Sequence, residues 1–213
     1  MRVAPVGLYL GGGGMSSDEI DRIGAESAAL THGHELGWLP AAMLTHIVNL
    51  LAHTDASVSE AVEDAQEALR RVFPNAGYTG ELLDLVELAK KLASSSVGDL
   101  EAIKAIGGGW VAEETLAIAI FCALRHEDDF EAAIIASVNH GGDSDSTGAV
   151  TGNILGAKHG LAGIPEKFRT NLELYDTVIE VADDLCNDCK MTEYGKYRDE
   201  VWLRKYVYGT YPN

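Results

Sequence analysis

Leu116-Ala117-Ile118-Ala119-Ile120-Phe121-Cys122-Ala123-Leu124 is the stretch whose reading decides the fold. It is apolar on every side, with neither the alternation of a half-buried strand nor the single stripe of a surface helix. A helix without a polar face lies at the centre of a helical protein or inside a membrane. The run falls far short of the ~20 residues that a bilayer span needs, so a central helix is expected. Ala132 to Val138 reads the same way.

The neighbouring segments supply helices to surround it. Ser16-Ser17-Asp18-Glu19 has the serine-to-glutamate spacing of a capping box and opens a helix through Ile20 and Ile23 to Leu30. Met43, Leu44, Ile47, Val48 and Leu51 form one apolar stripe at helical spacing. Val58, Val62, Ala65, Leu69 and Val72 form a second, ended by Pro74, and Leu82, Leu85, Val86, Ala89 and Leu92 a third, stopped at Ser94-Ser95-Ser96. Leu174, Val178, Val181, Ala182 and Leu185 form the last. Strand alternation and hairpin turns between such runs are lacking. An all-α bundle follows, with one helical domain over residues 1–189 and a polar, tyrosine-rich tail over 190–213, expected to pack as turns and one short helix.

Charge narrows the function. Among 213 residues, 33 are acidic and 16 basic, a formal net charge of −17. That excess argues against nucleic acid or an anionic membrane as partner, and an anionic ligand would need local compensation. No signal peptide is evident, and three cysteines suit a reducing, cytoplasmic compartment. Cys122 reads as a core thiol. Cys186 and Cys189 make one C-x-x-C pair, but a zinc site needs two further ligands.

Chemistry concentrates in Asn139-His140-Gly141-Gly142-Asp143-Ser144-Asp145-Ser146-Thr147-Gly148. Two carboxylates and a hydroxyl, from Asp143, Asp145 and Ser146, suit a hard divalent cation; the alternative is a solvated turn whose Asp and Ser cap the next helix. An EF-hand fails, because its twelfth position falls on Ile154. A phosphoryl-transfer site with Asp143 as nucleophile matches D-x-D-x-T but needs a preceding strand. Gly148, Gly152, Gly156 and Gly160 follow at intervals of four, on one helix face, and predict close approach of a helix or a ligand. His140 adjoins the turn and is a candidate to line the cleft.

Three further features are ambiguous. Gly11 to Gly14 lack the Lys-Ser/Thr of a P-loop and read as an interhelix connection. Gly107-Gly108-Gly109 precede Trp110 at the start of the central helix, where free N–H groups can bind phosphate; Trp110 either stacks on a ligand or is a buried tryptophan after a tight loop. His32, after Thr31 at a helix end, either complements the helix dipole or contacts a ligand.

The blocks Met1-Arg2-Val3-Ala4-Pro5-Val6-Gly7-Leu8, Leu30-Thr31-His32, Gly108-Gly109-Trp110-Val111-Ala112-Glu113-Glu114-Thr115-Leu116-Ala117 and Gly141-Gly142-Asp143-Ser144-Asp145-Ser146 together resemble the ADP-ribosylglycohydrolase family, in the family's order. The resemblance covers residues 1 to about 165 and implies a compact orthogonal multi-helix bundle. It implies hydrolysis of a glycosidic bond to ADP-ribose in a modified side chain or small molecule, with Asp143 and Asp145 catalytic. Asp143, Asp145 and Ser146 would be ligands of a pair of Mg²⁺ (or Mn²⁺) ions, and His32 and Trp110 would bind substrate. The family's Thr/Ser-Asp-Asp metal motif is not found here: Asp128-Asp129 and Asp183-Asp184 lack the preceding hydroxyl residue. The chain therefore reads as lacking an N-terminal segment, with an added segment or an oligomer partner expected to complete the site. The other reading is a non-catalytic ADP-ribose- or metal-binding protein on the same scaffold.

Overall fold

Two serines show how closely local chemistry sets the helix starts. In the computed structural model, the Ser16 hydroxyl accepts from the Glu19 N–H while the Glu19 carboxylate accepts from the Ser16 N–H. Ser57 and Glu60 repeat the arrangement one helix pair later, a second capping box that the apolar stripes did not reveal. Each box satisfies two backbone donors that a helix start leaves without partners.

The structure describes residues 1–170, 172–187, 200 and 203–209. Its helices are α1 (Ala4–Gly11), α2 (Ser17–Ala29), α3 (Glu35–His53), α4 (Val58–Val72), α5 (Thr79–Ala93), α6 (Asp99–Ile106), α7 (Ala112–Arg125), α8 (Phe130–Val138), α9 (Ser144–Gly163), α10 (Glu166–Arg169) and α11 (Tyr175–Cys186). No strand occurs among the described residues, so the fold is all-α. The phosphoryl-transfer reading of Asp143 fails on this point: no buried strand precedes the aspartate. The chain divides into two compact units, Met1–Phe168 and Arg169–Asn213, a division that falls ahead of residue 189.

In the first unit, α7 is the central helix that its sequence requires. Every residue from Thr115 to Ala123 is buried, and α3, α4, α5, α6, α8 and α9 all pack on it. Fully burying one leucine, isoleucine or phenylalanine side chain contributes about 1.5–3 kcal/mol, so this helix anchors the core. Burial pushes the Cys122 thiol up to about 12, and it is the inert core thiol expected. At the C-terminus of α7 the Arg125 guanidinium donates to the carbonyls of Leu92, Ala93, Ser95 and Val97 and pairs with Asp99. One partly buried cation thus ties down the whole α5–α6 connection.

α1 and α6 were not evident from the sequence. Both are short, and α1 packs through glycine, not through an apolar stripe. A Cβ on Gly7 would stand 2.5 Å from the Thr45 carbonyl oxygen, and one on Gly11 2.1 Å from Asn49 Oδ1. α1 therefore lies almost backbone to backbone on α3, and Gly11 ends this helix instead of belonging to a loose connection.

The glycine strip on α9 needs correction. Only Gly148 is forced, since its Cβ would meet Val138 Cγ1 at 2.6 Å. Gly156 faces open space, and Gly160 has φ 63° at a kink within the helix. Close packing explains the first of the four, and backbone conformation the last.

In the second unit α11 has no buried residue, and Leu174 precedes it in left-handed conformation instead of joining its apolar face. Lys205, in the π-helical turn Leu203–Val207, pairs with Glu180 and Asp184 of α11. Cys186 is exposed, and Cys189 lies outside the described residues, as does most of the 190–213 tail.

Candidate functional site

Two glycine-rich loops meet beside the start of α7. The Asp143 N–H donates to the Gly108 carbonyl at 2.8 Å. The approach is so close that a Cβ on Gly142 would stand 1.8 Å from that same oxygen. Gly109 takes φ 74°, and its missing Cβ would lie 2.9 Å from Thr147 Cγ2. Side chains at either position would push the loops apart, which is why glycine is needed there.

Glu114, in the first turn of α7, fixes the Gly107–Gly109 loop. Its Oε2 accepts from the N–H groups of Gly108 and Gly109, at 3.0 and 2.9 Å. This overturns the expectation that these donors are free to bind phosphate: a carboxylate already occupies them. The loop's role is to carry Trp110.

Trp110 is 72 % exposed, so it is not a buried tryptophan behind a tight turn. It lines a cavity of about 330 Å³ together with Arg2, His32, Asp143 and Ser146, over an apolar floor that includes Pro40, Leu44, Leu116 and Val150. That volume is at the lower end of the ~300–1,000 Å³ of small-molecule sites. Four of the five residues singled out in the sequence therefore converge, from blocks far apart in the chain. Asp145 does not line the cavity; it is exposed beside Asp143. His140 does not line it either.

His32 lies past the end of α2, exposed, with Nδ1 2.8 Å from the Thr31 hydroxyl. Arg2 was missed from the sequence. Its guanidinium donates to the Ser27 carbonyl at 2.6 Å and the Thr31 hydroxyl at 2.8 Å, so it braces the Thr31-His32 turn. Arg2 is also the one Lys or Arg among the residues lining the cavity. In a chain of net charge −17, it is the local compensation that an anionic ligand requires.

Asp143 occupies the N-cap position of α9 without a close capping hydrogen bond from its carboxylate. Hydrogen bonding with Asp145 first, then with Ser146, holds its carboxyl below the usual aspartate range. Among the described residues, no three His, Cys, Asp or Glu side chains converge to hold a metal. Asp143, Asp145 and Ser146 offer two carboxylates and a hydroxyl, oxygen donors of the kind a hard cation takes.

Comparison with known proteins identifies the family. The family model for ADP-ribosylglycohydrolase matches residues 1–195. The ADP-ribosylhydrolase ARH3 of Bos taurus is 29% identical over 212 residues, covering 87% of this chain and 55% of the relative. An uncharacterised protein of Archaeoglobus fulgidus is 30% identical over 187 residues, covering 87% and 56%. The ADP-ribosyl-[dinitrogen reductase] glycohydrolase of Rhodospirillum rubrum is 40% identical over 47 residues, covering 22% and 16%. No solved structure gives a significant match. The chain spans about half the length of the relatives it matches most fully. With the family model aligned over nearly all of the chain and the family's blocks gathered around one cavity, the chain belongs to the ADP-ribosylglycohydrolase family.

Proposed function

We propose that the cavity binds ADP-ribose and that the chain belongs to a metal-dependent hydrolase that removes it from a modified protein side chain or small molecule. The observation that carries this reading is the convergence of His32, Trp110, Asp143 and Ser146 on one cavity. Trp110 presents an indole face for stacking on a ring. Arg2 and His32 supply the donors for the diphosphate. Asp143 faces the reacting ribose, where a carboxylate stabilises an oxocarbenium-like transition state.

Asp143, Asp145 and Ser146 would hold one ion, Mg²⁺ or Mn²⁺, which when bound supplies Lewis acidity toward ribose hydroxyls and water. Three protein oxygen donors would leave about half of an octahedral shell to water, so we expect weak metal affinity and low turnover from these residues alone. Further oxygen donors, from another segment or an oligomer partner, would raise both. No helix among the described residues is long and apolar enough to cross a membrane, and the net negative charge disfavours nucleic acid substrates.

That no three His, Cys, Asp or Glu side chains converge among the described residues favours a second reading, a non-catalytic ADP-ribose-binding protein. One experiment separates them: release of free ADP-ribose from an ADP-ribosylated protein over a Mg²⁺ titration, with Asp143→Ala as control. Slow, metal-dependent release that is lost in the variant supports the hydrolase. Binding without release at any metal concentration supports the second reading.

A further inference from the structure

We infer that His140 is a positioning residue for Asp143, acting through a single imidazole tautomer. The inference rests on the ADP-ribose reading above for its purpose, though not for its geometry.

His140 stands three residues before Asp143 and outside the cavity lining. Its Nδ1 accepts from the Gly142 N–H at 3.1 Å. A backbone N–H can only donate, so Nδ1 carries no proton in this arrangement. The proton of the neutral ring is then on Nε2, which lies 2.8 Å from the Thr147 hydroxyl oxygen. That oxygen accepts it, and the Thr147 hydroxyl donates in turn to a backbone carbonyl, with Ser137 nearest at 2.7 Å and Asp143 at 3.1 Å. Thr147 is fully buried, so the donors run from Gly142 to His140, from His140 to Thr147, and from Thr147 to the backbone of α8 or of the turn itself.

The two ends of the chain frame the acidic turn. Gly142 is the residue that touches Gly108, and the next N–H, that of Asp143, makes the bond to the Gly108 carbonyl. Thr147 packs its methyl group against Gly109 on the other side. The imidazole is therefore a strut between α8 and the turn, and it holds the Asp143 backbone at the angle from which its carboxylate reaches the cavity.

The test uses the full chain labelled with ¹⁵N. Imidazole nitrogen shifts should show Nε2 protonated and Nδ1 not. In His140→Ala the Asp143 amide should exchange with solvent roughly tenfold faster, the loss expected for about one hydrogen bond. ADP-ribose affinity should fall by a similar factor. His140→Asn should restore both in part, since its amide oxygen can accept from the Gly142 N–H. Thr147→Val, which keeps the methyl contact with Gly109 and removes the hydroxyl that accepts the Nε2 proton, should loosen the ring and speed exchange of the Asp143 amide. An Nδ1-protonated or averaged ring overturns the inference, as does an unchanged Asp143 amide in His140→Ala. If exchange behaves as stated and the wild type does not bind ADP-ribose, the ligand reading falls and the strut stands.

Discussion

The Asp143 N–H and the Gly108 carbonyl are hydrogen-bonded at 2.8 Å across two loops that approach within the space of a missing Cβ. This one bond joins the turn that carries the carboxylates to the loop that carries Trp110. A site assembled this way depends on glycine as much as on its charged residues.

Gly142→Ala should therefore behave like a site mutation. Its Cβ would overlap the Gly108 oxygen, and one loop must retreat by about 1 Å or more. Displacement of that order costs roughly 100-fold in rate where a reacting group is involved. We expect circular dichroism to show the helices intact while ADP-ribose affinity and any hydrolysis collapse. Normal binding by the variant would mean that the loop contact does not set the site.

Arg2→Ala should weaken ADP-ribose more than it weakens plain ribose. The guanidinium braces Thr31, on which His32 rests, and in the proposed complex it would also compensate the diphosphate. Loss of a charge-assisted hydrogen bond of about 1.5–3 kcal/mol corresponds to an affinity loss on the order of 10–100-fold. Calorimetry with ADP-ribose and with ribose reads the difference, and equal losses for both ligands would assign Arg2 a structural role only.

The sequence was most legible where chemistry is local or periodic. The all-round apolarity of Leu116 to Leu124 required a central helix, and α7 is one. Ser16 and Glu19 announced α2. His32, Trp110, Asp143 and Ser146 were found by their blocks and share one cavity. What escaped was contact at a distance. Arg2 has no local pattern that marks it as a cavity cation. The four spaced glycines of α9 suggested one packing seam, whereas Gly7, Gly11 and Gly142 make closer approaches than any of those four. Nothing in the spacing of Glu114 showed that it would consume the N–H groups of Gly108 and Gly109.

A second cluster away from the site predicts the pH dependence of stability. His46 is buried on α3, with Nδ1 2.8 Å from Asp21 of α2 and Nε2 2.9 Å from Asp64 of α4. Asp18 and Arg71 stand nearby. Burial alone would lower the His46 pKa, but the two carboxylates outweigh it and raise it above the ordinary 6.5. Burial also raises Asp21. A raised pKa means that the folded chain holds the proton more tightly, so this contribution is complete below pH 6.5 and is lost as pH rises through the folded value. The melting temperature should fall on the alkaline side of neutrality; for a chain of this size each 1 kcal/mol lost lowers it by about 2–4 °C. Asp64→Asn, at a half-exposed position, should flatten that slope. The same slope in wild type and variant would remove His46 as its source.

The central claim is that Trp110 and the Asp143 turn face one ADP-ribose-binding cavity, and titration of the full chain with ADP-ribose tests it most directly. The measurement is tryptophan fluorescence with and without Mg²⁺, on the wild type, Trp110→Phe and His32→Ala. Saturable quenching is predicted in the wild type, lost in signal with Trp110→Phe and shifted to higher concentration in His32→Ala. A wild-type spectrum unchanged at millimolar ADP-ribose in the presence of Mg²⁺, together with no heat of binding by calorimetry, would contradict the account.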